Sequence, residues 1–441
     1  MNWLKKNKGL FITMIVLSVM LIATVAVFVI KDNRVPSGDG NGTETAATQS
    51  SPTEAPSPEP LNYTEITFLS AGDIMYHRPQ IRAAKTDDGG YDFTGNMQYV
   101  KPIIEKADFA TANFETTLSG PEIGYEAKQF PYFNAPDPTV DSLLYAGFDL
   151  LFMANNHCYD HQGQGLKRTI SILDQKGMDH IGTRADENSK SYKIVDVKGV
   201  KIGLINYTLE IGSEGDTVRI NGNTVAPEDR ALIDTFDETA PDKLYKGVEE
   251  RMAEMKADGA DCIIVYLHWG NEYELTPNEN QKAIAQKLCD MGVDVLLASH
   301  PHLIQPVTVI KSSDGKRSMP CYYSMGNYIS NQSRDSLAED TENAIYTENG
   351  MMPVITIRKY SNGETYIKNI EYISTWVHIH GSYEVVPIAA ALDNPGAYGL
   401  SDDSSVSKAR HAKELTDAVA AAGVAEYNAL WQDPYPEATA A

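Results

Sequence analysis

The sequence predicts an α/β fold in which two packed sheets are flanked by helices. From about Tyr63 onward, short β-rich runs alternate with helix-like segments, the pattern of α/β domains. Two further pairs of strands have no helix between them, Ser191–Tyr207 around Lys198–Gly199 and Val354–Ile373 around Asn362–Gly363. The second pair carries a type I′ turn signal. More than one run of antiparallel strands beside crossover helices predicts two sheets rather than one.

The amino-terminal residues 1–34 are predicted to form a cytoplasmic tip and a transmembrane anchor. An uncharged run from Gly9 to Ile30 reaches the roughly 20 apolar residues that a membrane-spanning helix needs. A cleavable signal is the alternative, but its apolar core is normally shorter and ends at small residues, whereas this run leads directly into Lys31. Lysines ahead of the run favour a cytoplasmic amino end. We therefore expect a single-pass protein of the cell membrane with an extracellular body.

The rest of the chain divides by composition into three parts. Residues 35–62 are rich in Pro, Ser, Thr and Gly and are predicted to be a disordered linker. A folded domain is predicted over 63–385. An acidic, Ala-rich segment, 386–441, follows with one helix over roughly Ser405–Trp431. Either this helix packs on the domain or it stands apart.

Charge and cysteine content restrict the partners and the cross-links. The 441 residues include 60 acidic and 37 basic side chains, a formal net charge of −23. Nucleic acid is excluded as the expected partner, because phosphate backbones attract Lys and Arg. The cysteines form no CxxC pair, and Cys262 and Cys289 lie in apolar patterns, which predicts small buried side chains rather than a disulfide framework.

Helices with clear end signals are predicted between the strands. One begins at Pro138, with Asp137 in the capping position. Another covers Gly165–Lys176 and stops at Gly177. The remaining two are predicted over Asp242–Ala257 and Glu279–Asp290.

Polar side chains follow five apolar strands at the point where each strand leaves its sheet. In open α/β sheets, ligands bind at the carboxyl ends of strands, because the loops there converge on one crevice. Carboxylate, amide and imidazole ligands together suit Mn, Fe or Zn, and a shared carboxylate is what two neighbouring ions need. The candidate ligands are Asp73, Glu115, Asn156, His268, His300 and His302.

Taken singly, most of these signals have a structural alternative. A Gly-Asp pair after a strand is commonly a turn, and His268 before Trp269 can be a hydrogen-bonded core histidine. Asn155–His157 is a stronger signal, because two amides beside an imidazole are unusual at a strand end. His300–His302 is the most specific pattern, since the ring of the intervening proline holds two imidazoles at a fixed separation. Their common position predicts a metal site.

The order of these residues resembles that of the calcineurin-like metallophosphoesterase superfamily, and more closely that of the capsule-synthesis CapA family, also called the poly-γ-glutamate synthesis family. The resemblance implies a two-sheet β-sandwich between helices, an αββα arrangement, with the ligands at strand ends. The matching stretches, between about residues 66 and 332, are SAGDIMYHR, TANFETTLSG, FNAP, AGFDLLFMANNHCYDHQGQGL, GLINYTLEIG, VYLHWGNEYE, ASHPHLIQP and YSMGNYISNQ.

The resemblance also implies roles for individual positions. Asp73 is the first metal ligand, Glu115 takes the place of the bridging aspartate, and Asn156 binds the second ion. His157 is paired with Asn156 in catalysis and acts near the leaving group. His268 and His300 bind one ion, and His302 binds the other.

The sequence departs from the superfamily in the first motif. That motif normally offers Asp-x-His, whereas Asp73 is followed by Ile74 and Met75, and His77 lies two residues too far along to substitute. The resemblance suggests substrate-binding roles for Arg78, Asn206, Tyr207, Glu272 and Asn327, and similar roles for Arg184 and Glu210. For the arginines the alternative is a surface position, and for the others a loop-capping role.

Two classes of function remain open. One is a metal-dependent hydrolase of phosphate esters, in which two ions lower the pKa of a bridging water and His157 protonates the departing oxygen. The other is an assembly factor that helps to synthesise or export an anionic envelope polymer. The retained ligands favour the first class, and the missing histidine favours the second. We expect a capsule-polymer protein that binds one or two divalent ions, with the cell membrane, other capsule-synthesis proteins and an anionic polymer as partners.

Overall fold

The computed structural model describes residues 61–125 and 132–441. The predicted anchor, residues 1–34, and almost all of the predicted linker lie outside these residues. Within the described part of the chain, no helix is both long and apolar enough to cross a membrane. The first strand begins at Asn62, one residue before the predicted start of the domain.

The described elements alternate as expected for a mixed α/β domain. The helices are α1 Arg78–Ala83, α2 Thr94–Met97, α3 Lys101–Ile104, α4 Pro138–Ala146, α5 Gln162–Lys176, α6 Asp242–Ala257, α7 Glu279–Met291, α8 Ile388–Asp393 and α9 Asp403–Ala429, with 3-10 turns at Pro227–Leu232, Ala344–Glu348 and Pro395–Tyr398. The strands are β1 Asn62–Ile74, β2 Phe109–Phe114, β3 Leu150–Phe152, β4 Asp179–Ile181, β5 Lys193–Val197, β6 Val200–Leu209, β7 Arg219–Ile220, β8 Asn223–Thr224, β9 Thr235–Phe236, β10 Cys262–His268, β11 Val295–Ser299, β12 Val307–Lys311, β13 Ser318–Tyr322, β14 Asn327–Ile329, β15 Asn349–Tyr360, β16 Thr365–Ile379, β17 Tyr383–Pro387 and β18 Thr439–Ala440.

Two mixed sheets contain nearly all of these strands. The first sheet has the order β17-β16-β15-β1-β2-β3-β4, with β14 and β18 also paired to β1. The second has the order β12-β13-β11-β10-β6-β5, with β9 paired to β6. Strands β1, β2 and β3 run parallel to one another, as do β6, β10 and β11. Their carboxyl ends therefore meet at common edges of the sheets.

Apolar side chains fill three layers around the two sheets. The central layer lies between the sheets, where Phe152 of the first stacks on Tyr266 of the second with ring centroids 4.4 Å apart. The outer face of the first sheet packs against helices α2 to α5, and that of the second against α6 and α7. This is the two-sheet arrangement flanked by helices that the sequence predicts.

The predicted helices form with small shifts at their ends. Helix α5 begins three residues earlier than expected and ends at Gly177, whose φ of 72° closes the helix. Asp137 precedes α4 as predicted, but its side chain does not cap the helix. Instead, both carboxylate oxygens accept hydrogen bonds from Arg168, at 2.8 and 2.9 Å, so Asp137 ties α4 to α5.

Both predicted hairpins are present, but the type I′ turn lies in the first rather than in the second. Lys198 and Gly199 have φ values of 53° and 86° and connect the paired residues Val197 and Val200, which is the type I′ arrangement. The prediction of a type I′ turn at Asn362–Gly363 is wrong, because only Gly363 has a positive φ there and the loop is one residue longer. The Asn362 side chain instead bonds to Tyr435.

The carboxyl-terminal segment packs on the domain, which is one of the two alternatives that the sequence left open. Helices α8 and α9 bury Ile388, Ala409 and Ala412 against Trp376 and Val386 of β16 and β17. Strand β18 pairs with the beginning of β1. All four cysteines are buried free thiols, which for Cys262 and Cys289 confirms the predicted burial.

Candidate metal centre

The end of β1 and the start of β14 are brought together by a close approach of two glycines. A Cβ on Gly72 would lie 1.9 Å from the carbonyl oxygen of Gly326, so only glycine fits at this position. The next residue, Asp73, pairs in register with Asn113 of β2 on one side and with Asn327 of β14 on the other. The Gly-Asp pair is therefore a packed strand end that points a carboxylate into the crevice, rather than an exposed turn.

A first set of ligand atoms surrounds Nε2 of His268. This atom lies 2.8 Å from Oδ1 of Asn156, 3.1 Å from Nδ1 of His300 and 3.4 Å from Oε1 of Glu115. Ligand atoms at about 2.0–2.1 Å from a tetrahedral zinc ion are separated by about 3.3 Å. The three distances from Nε2 of His268 are thus close to those within a coordination shell.

A second set adjoins the first and shares Glu115 with it. Nδ1 of His302 lies 3.3 Å from Oδ2 of Asp73, and its Nε2 lies 3.9 Å from Oε1 of Glu115. Asp73, Glu115 and His302 together form a group able to hold a metal ion, as do Glu115, His268 and His300. Glu115 therefore occupies the place between two potential ion positions.

The loop after β11 holds two of these imidazoles in a strained backbone. His300 has a φ of 111° and His302 a φ of 59°, both in the region that residues with a Cβ rarely adopt. Each such residue costs about 1–3 kcal/mol, and such strain is concentrated at functional sites. The two rings are buried with centroids 6.0 Å apart, and His300 belongs to the first ligand set and His302 to the second.

Two asparagines behind the ligands hold the carboxylates in place. Nδ2 of Asn113 donates to Oδ1 of Asp73 at 2.8 Å and lies 3.4 Å from both Glu115 and Nδ1 of His268. Asn155 in turn donates to Oδ1 of Asn113 at 3.1 Å. This role of Asn113 was not predicted, because its contacts depend on the register of β1 against β2.

His157 lies beside the ligand sets and is held by a carboxylate. Its Nδ1 is 2.7 Å from Oδ2 of Asp160, which also accepts the backbone N–H of Phe133 at 2.6 Å. The Phe133 ring packs edge-on against the His157 ring at 4.4 Å. The Asp160 contact places a proton on Nδ1 of His157 and fixes the orientation of the ring. Asp160 was missed in the sequence, although its His-x-x-Asp spacing after the strand was a usable signal.

Burial and neighbouring charges shift the pKa values of several side chains in the two ligand sets. Burial and the negative charge of Asp73 raise the pKa of Glu115 well above its usual value. Burial lowers the pKa of His268 and of His300 well below the usual range, with His302 and His157 contributing to both. Burial also disfavours the charged form of His302, but its contact with the Asp73 carboxylate outweighs this and raises the His302 pKa.

The residues present fit a divalent metal. Oδ2 of Asp73, Oε1 of Glu115 and Nδ1 of His302 are buried and have no hydrogen-bond partner among the described residues. Unpaired buried polar atoms are costly, and a cation bound between them would satisfy all three. The mixed carboxylate, amide and imidazole donors are those that Mn, Fe and Zn accept.

The predicted substrate-binding residues lie in different places. Glu272 is exposed and forms a third possible ligand group with His300 and His302, so it lies at the mouth of the centre. Asn327 is buried beside Asp73, and its Oδ1 has no hydrogen-bond partner within the described chain. These two residues adjoin the ligand sets.

The side chains of two other candidates, Asn206 and Tyr207, make contacts that hold the fold together. Asn206 is buried and binds the backbone N–H and C=O of Ala154, which joins the two sheets. Tyr207, one residue on, faces the helices and packs against Phe236 and Arg251. Neither is placed to contact a substrate in the crevice.

The two arginines, Glu210 and His77 are not members of the ligand sets either. Arg184 and Arg251 both donate to Asp234, at 2.9 and 2.7 Å, so Arg184 is a framework residue. Arg78 is exposed at the start of α1. Glu210 accepts hydrogen bonds from Thr235 and Lys243, and His77 packs against Phe133 and belongs to none of the ligand groups found among the described residues.

Comparison with known proteins identifies the family. Residues 67–332 match the family described as bacterial capsule synthesis protein PGA_cap, which is more than half of the chain and includes every residue of the two ligand sets. The chain belongs to the PGA_cap family. This confirms the resemblance on which the sequence analysis relied.

Two relatives named CapA align with this chain over similar lengths. The capsule biosynthesis protein CapA of Bacillus anthracis is 29% identical over 293 residues, 65% of this chain and 65% of that protein. The PGA biosynthesis protein CapA of Bacillus subtilis is 26% identical over 283 residues, 63% of this chain and 67% of that protein.

The solved structure of the sulfate thiohydrolase SoxB of Thermus thermophilus is 12% identical, with a TM-score of 0.38 over 80% of this chain and 60% of that one.

The raised pKa of Glu115 predicts how the metal-free protein responds to pH. A carboxyl group whose folded-state pKa is raised stabilises the fold below its unfolded-state pKa, and this contribution is lost as the pH rises through the folded-state value. In the presence of a chelator, the Glu115→Gln variant should therefore gain stability over the wild type as the pH rises from about 5 to about 8, by about 1–3 kcal/mol. Urea unfolding at several pH values measures this difference. The exposed Glu249→Gln variant is the control, and an equal pH dependence of wild type and Glu115→Gln would contradict the assigned burial.

Proposed function

We propose that this PGA_cap protein is anchored in the cell membrane and acts outside the cell in the synthesis or export of a capsule polymer such as poly-γ-glutamate, with divalent metal bound at its strand ends. The observation that carries the proposal is the pair of adjoining ligand sets sharing Glu115, which lies wholly inside the residues matched by the family. The apolar run Gly9–Ile30 supports the anchor and the extracellular body. The anionic polymer and other capsule-synthesis proteins are the proposed partners.

The metal is proposed to be Mn, Fe or Zn, one or two ions per chain. Asn156, His268 and His300 would hold one ion, Asp73 and His302 the other, and Glu115 both. When bound, such ions lower the pKa of a coordinated water and polarise a phosphoryl or carbonyl oxygen. Asn113 keeps the Asp73 carboxylate directed at the crevice, and the strained His-Pro-His loop keeps both imidazoles there.

A second candidate function is a metal-dependent phosphoesterase or related hydrolase that acts on an envelope component. The contact between His157 and Asp160 favours it, because a scaffold has no need for an oriented imidazole beside its ligands. In the imidazolium form, with its Nδ1–H held by Asp160, His157 can donate the proton on Nε2 to the departing oxygen of a bound ester, which leaves a neutral imidazole. The adjacent Phe133 ring limits the orientations of the imidazole and excludes water from one side.

The proposed function is tested by the surface polymer of the host bacterium. A strain lacking the gene should lose most of its cell-bound anionic polymer, and the wild-type gene should restore it. The His300→Ala, His302→Ala double variant should restore less than about a tenth, because loss of two ligands removes the metal. The exposed His411→Ala variant is the control and should restore the polymer fully. Unchanged polymer in the deletion strain would refute the role in capsule synthesis, and full restoration by the double variant would refute the role of the metal.

A further inference from the structure

A second group of metal-ligating side chains lies on the β16–β17 hairpin, outside the residues matched by the family. His378 lies on β16 and His380 is the first residue after it, so the two are separated by one residue and their rings lie on the same side, with centroids 4.2 Å apart. Glu384 of β17 lies directly opposite His378 in the antiparallel register. The three side chains, called the hairpin cluster below, thus share one face of the hairpin.

The hairpin cluster has the dimensions of a metal site. The His378 and His380 rings have centroids 4.2 Å apart, and Nε2 of His380 lies 2.5 Å from Oε2 of Glu384. One ligand atom from each residue lies within 4.8 Å of the others. Small side-chain rotations bring such atoms to the separation of about 3.3 Å that a tetrahedral zinc ion requires.

We propose that the hairpin cluster binds one zinc ion. Two imidazoles and one carboxylate are a ligand set that zinc uses with an open fourth position. Magnesium and calcium are disfavoured, because both prefer shells made of oxygen atoms. His378 is 5% exposed while the side chain of His380 is 45% exposed, so one side of the cluster is open to solvent for an entering ion and a fourth ligand.

The hydrogen bonds around His378 prepare it as a ligand. Its Nε2 lies 3.4 Å from Oγ of Ser405, and this hydroxyl donates to Oδ2 of Asp402 at 2.9 Å. Because the Ser405 proton is committed to Asp402, the hydroxyl oxygen accepts from Nε2–H of His378. The lone pair is then on Nδ1, which is buried without a hydrogen-bond partner in the described chain. Metal-bound histidines are commonly fixed in this way through their second nitrogen.

An ordinary ion pair does not account for the cluster. A pair between His380 and Glu384 would explain their contact but would leave Nδ1 of His378 buried and unsatisfied. The histidine–glutamate pair His411–Glu414 on α9 shows the ordinary case, since its atoms are 3.7 Å apart and it belongs to no three-ligand group found among the described residues. Of these two pairs, the one on the hairpin has in addition a third ligand and a buried ring nitrogen, Nδ1 of His378, without a hydrogen-bond partner in the described chain.

A zinc ion there would connect three parts of the fold. It would fix the hairpin, and through Ser405 it would join the hairpin to the start of α9. Tyr383, adjacent to Glu384, donates its hydroxyl to Oδ1 of Asn331 at 2.6 Å, and the N–H of Asn331 lies 3.3 Å from His77 near the strand-end centre. The hairpin ion would thus be linked through Tyr383 and Asn331 to His77, while its fourth position stays open to solvent.

The test counts zinc in the full chain after equilibration with zinc and removal of excess. The starting protein is the His300→Ala, His302→Ala variant, so that the strand-end centre does not contribute. We expect about one zinc ion per chain in this protein and none after addition of His380→Ala or Glu384→Gln. Bound Co²⁺ in place of zinc should give the visible absorption of a low-symmetry, four-coordinate ion, and the same substitutions should remove it.

Further variants separate zinc binding from folding. Addition of His411→Ala should leave the zinc ion in place, and zinc should raise the Tm of the starting protein but not that of the His380→Ala derivative. Because His380 is partly exposed, its replacement should not unfold the chain. Equal zinc content with and without His380→Ala, or zinc absent from both, would overturn the proposal.

Discussion

Replacing Glu115 by Gln is expected to lower the affinity of the strand-end centre for metal more than any other single change. Oε1 of Glu115 lies 3.4 Å from Nε2 of His268 and 3.9 Å from Nε2 of His302, so one carboxylate serves both ligand sets. The amide removes the shared negative charge but preserves the shape. We expect the affinity for each ion to fall by more than about 100-fold, beyond the roughly 10- to 100-fold that loss of an outer hydrogen-bond partner costs. Isothermal titration of the chelator-treated chain with Mn, Fe(II) and Zn measures it.

Single replacements in the other positions provide the comparison. His268→Ala should weaken the set formed with Asn156 and His300, and Asp73→Asn should weaken the set formed with His302, each leaving the other set in place. If Glu115→Gln reduced the metal content no more than either of these variants, Glu115 would not be shared. The account of two adjoining ion positions would then be contradicted.

Replacing His157 by Ala is expected to lower any phosphoesterase activity by about 10²- to 10⁴-fold, the usual contribution of a general acid. His157 is not a member of the metal-ligating groups among the described residues, so the metal content should not change. The measurement is the rate of hydrolysis of an aryl phosphate diester by the metal-loaded chain.

Asp160→Asn separates proton delivery from packing. The amide retains the contact with the N–H of Phe133 through its oxygen but no longer holds His157 with a charged acceptor. We expect a smaller decrease in kcat than for His157→Ala, together with a shifted pH profile. Activity that is unaffected by both replacements would exclude the assigned role of His157.

The clustering of the candidate ligands was predictable because it depends on the ends of strands. Each of the five apolar strands was recognisable from its own residues, and parallel neighbours bring their carboxyl ends to one edge regardless of loop details. His300 and His302 were identified by their spacing around a proline, and the structure adds that both have a positive φ. The metal-site hypothesis therefore needed only local patterns and a fold class.

The residues that sequence analysis placed less well depend on register and on distant partners. Asn206 and Tyr207 project from opposite faces of β6, and the sequence did not reveal that only Asn206 points toward the other sheet. The Arg184 side chain donates a hydrogen bond to Asp234, fifty positions later in the chain. Asn362 lies in a loop one residue longer than a type I′ turn allows, and this length is set by the pairing of Tyr360 with Glu364. Such facts follow from tertiary pairing rather than from local preference.

The most direct test of the central claim compares the metal content of two variants of the full chain. The first carries His380→Ala, so that the hairpin cluster does not contribute. The second carries His300→Ala and His302→Ala in addition. Elemental analysis should find Mn, Fe or Zn at about one or two ions per chain in the first protein and almost none in the second. Equal metal content in the two proteins, or no metal in either after incubation with all three ions, would contradict a metal centre at the strand ends.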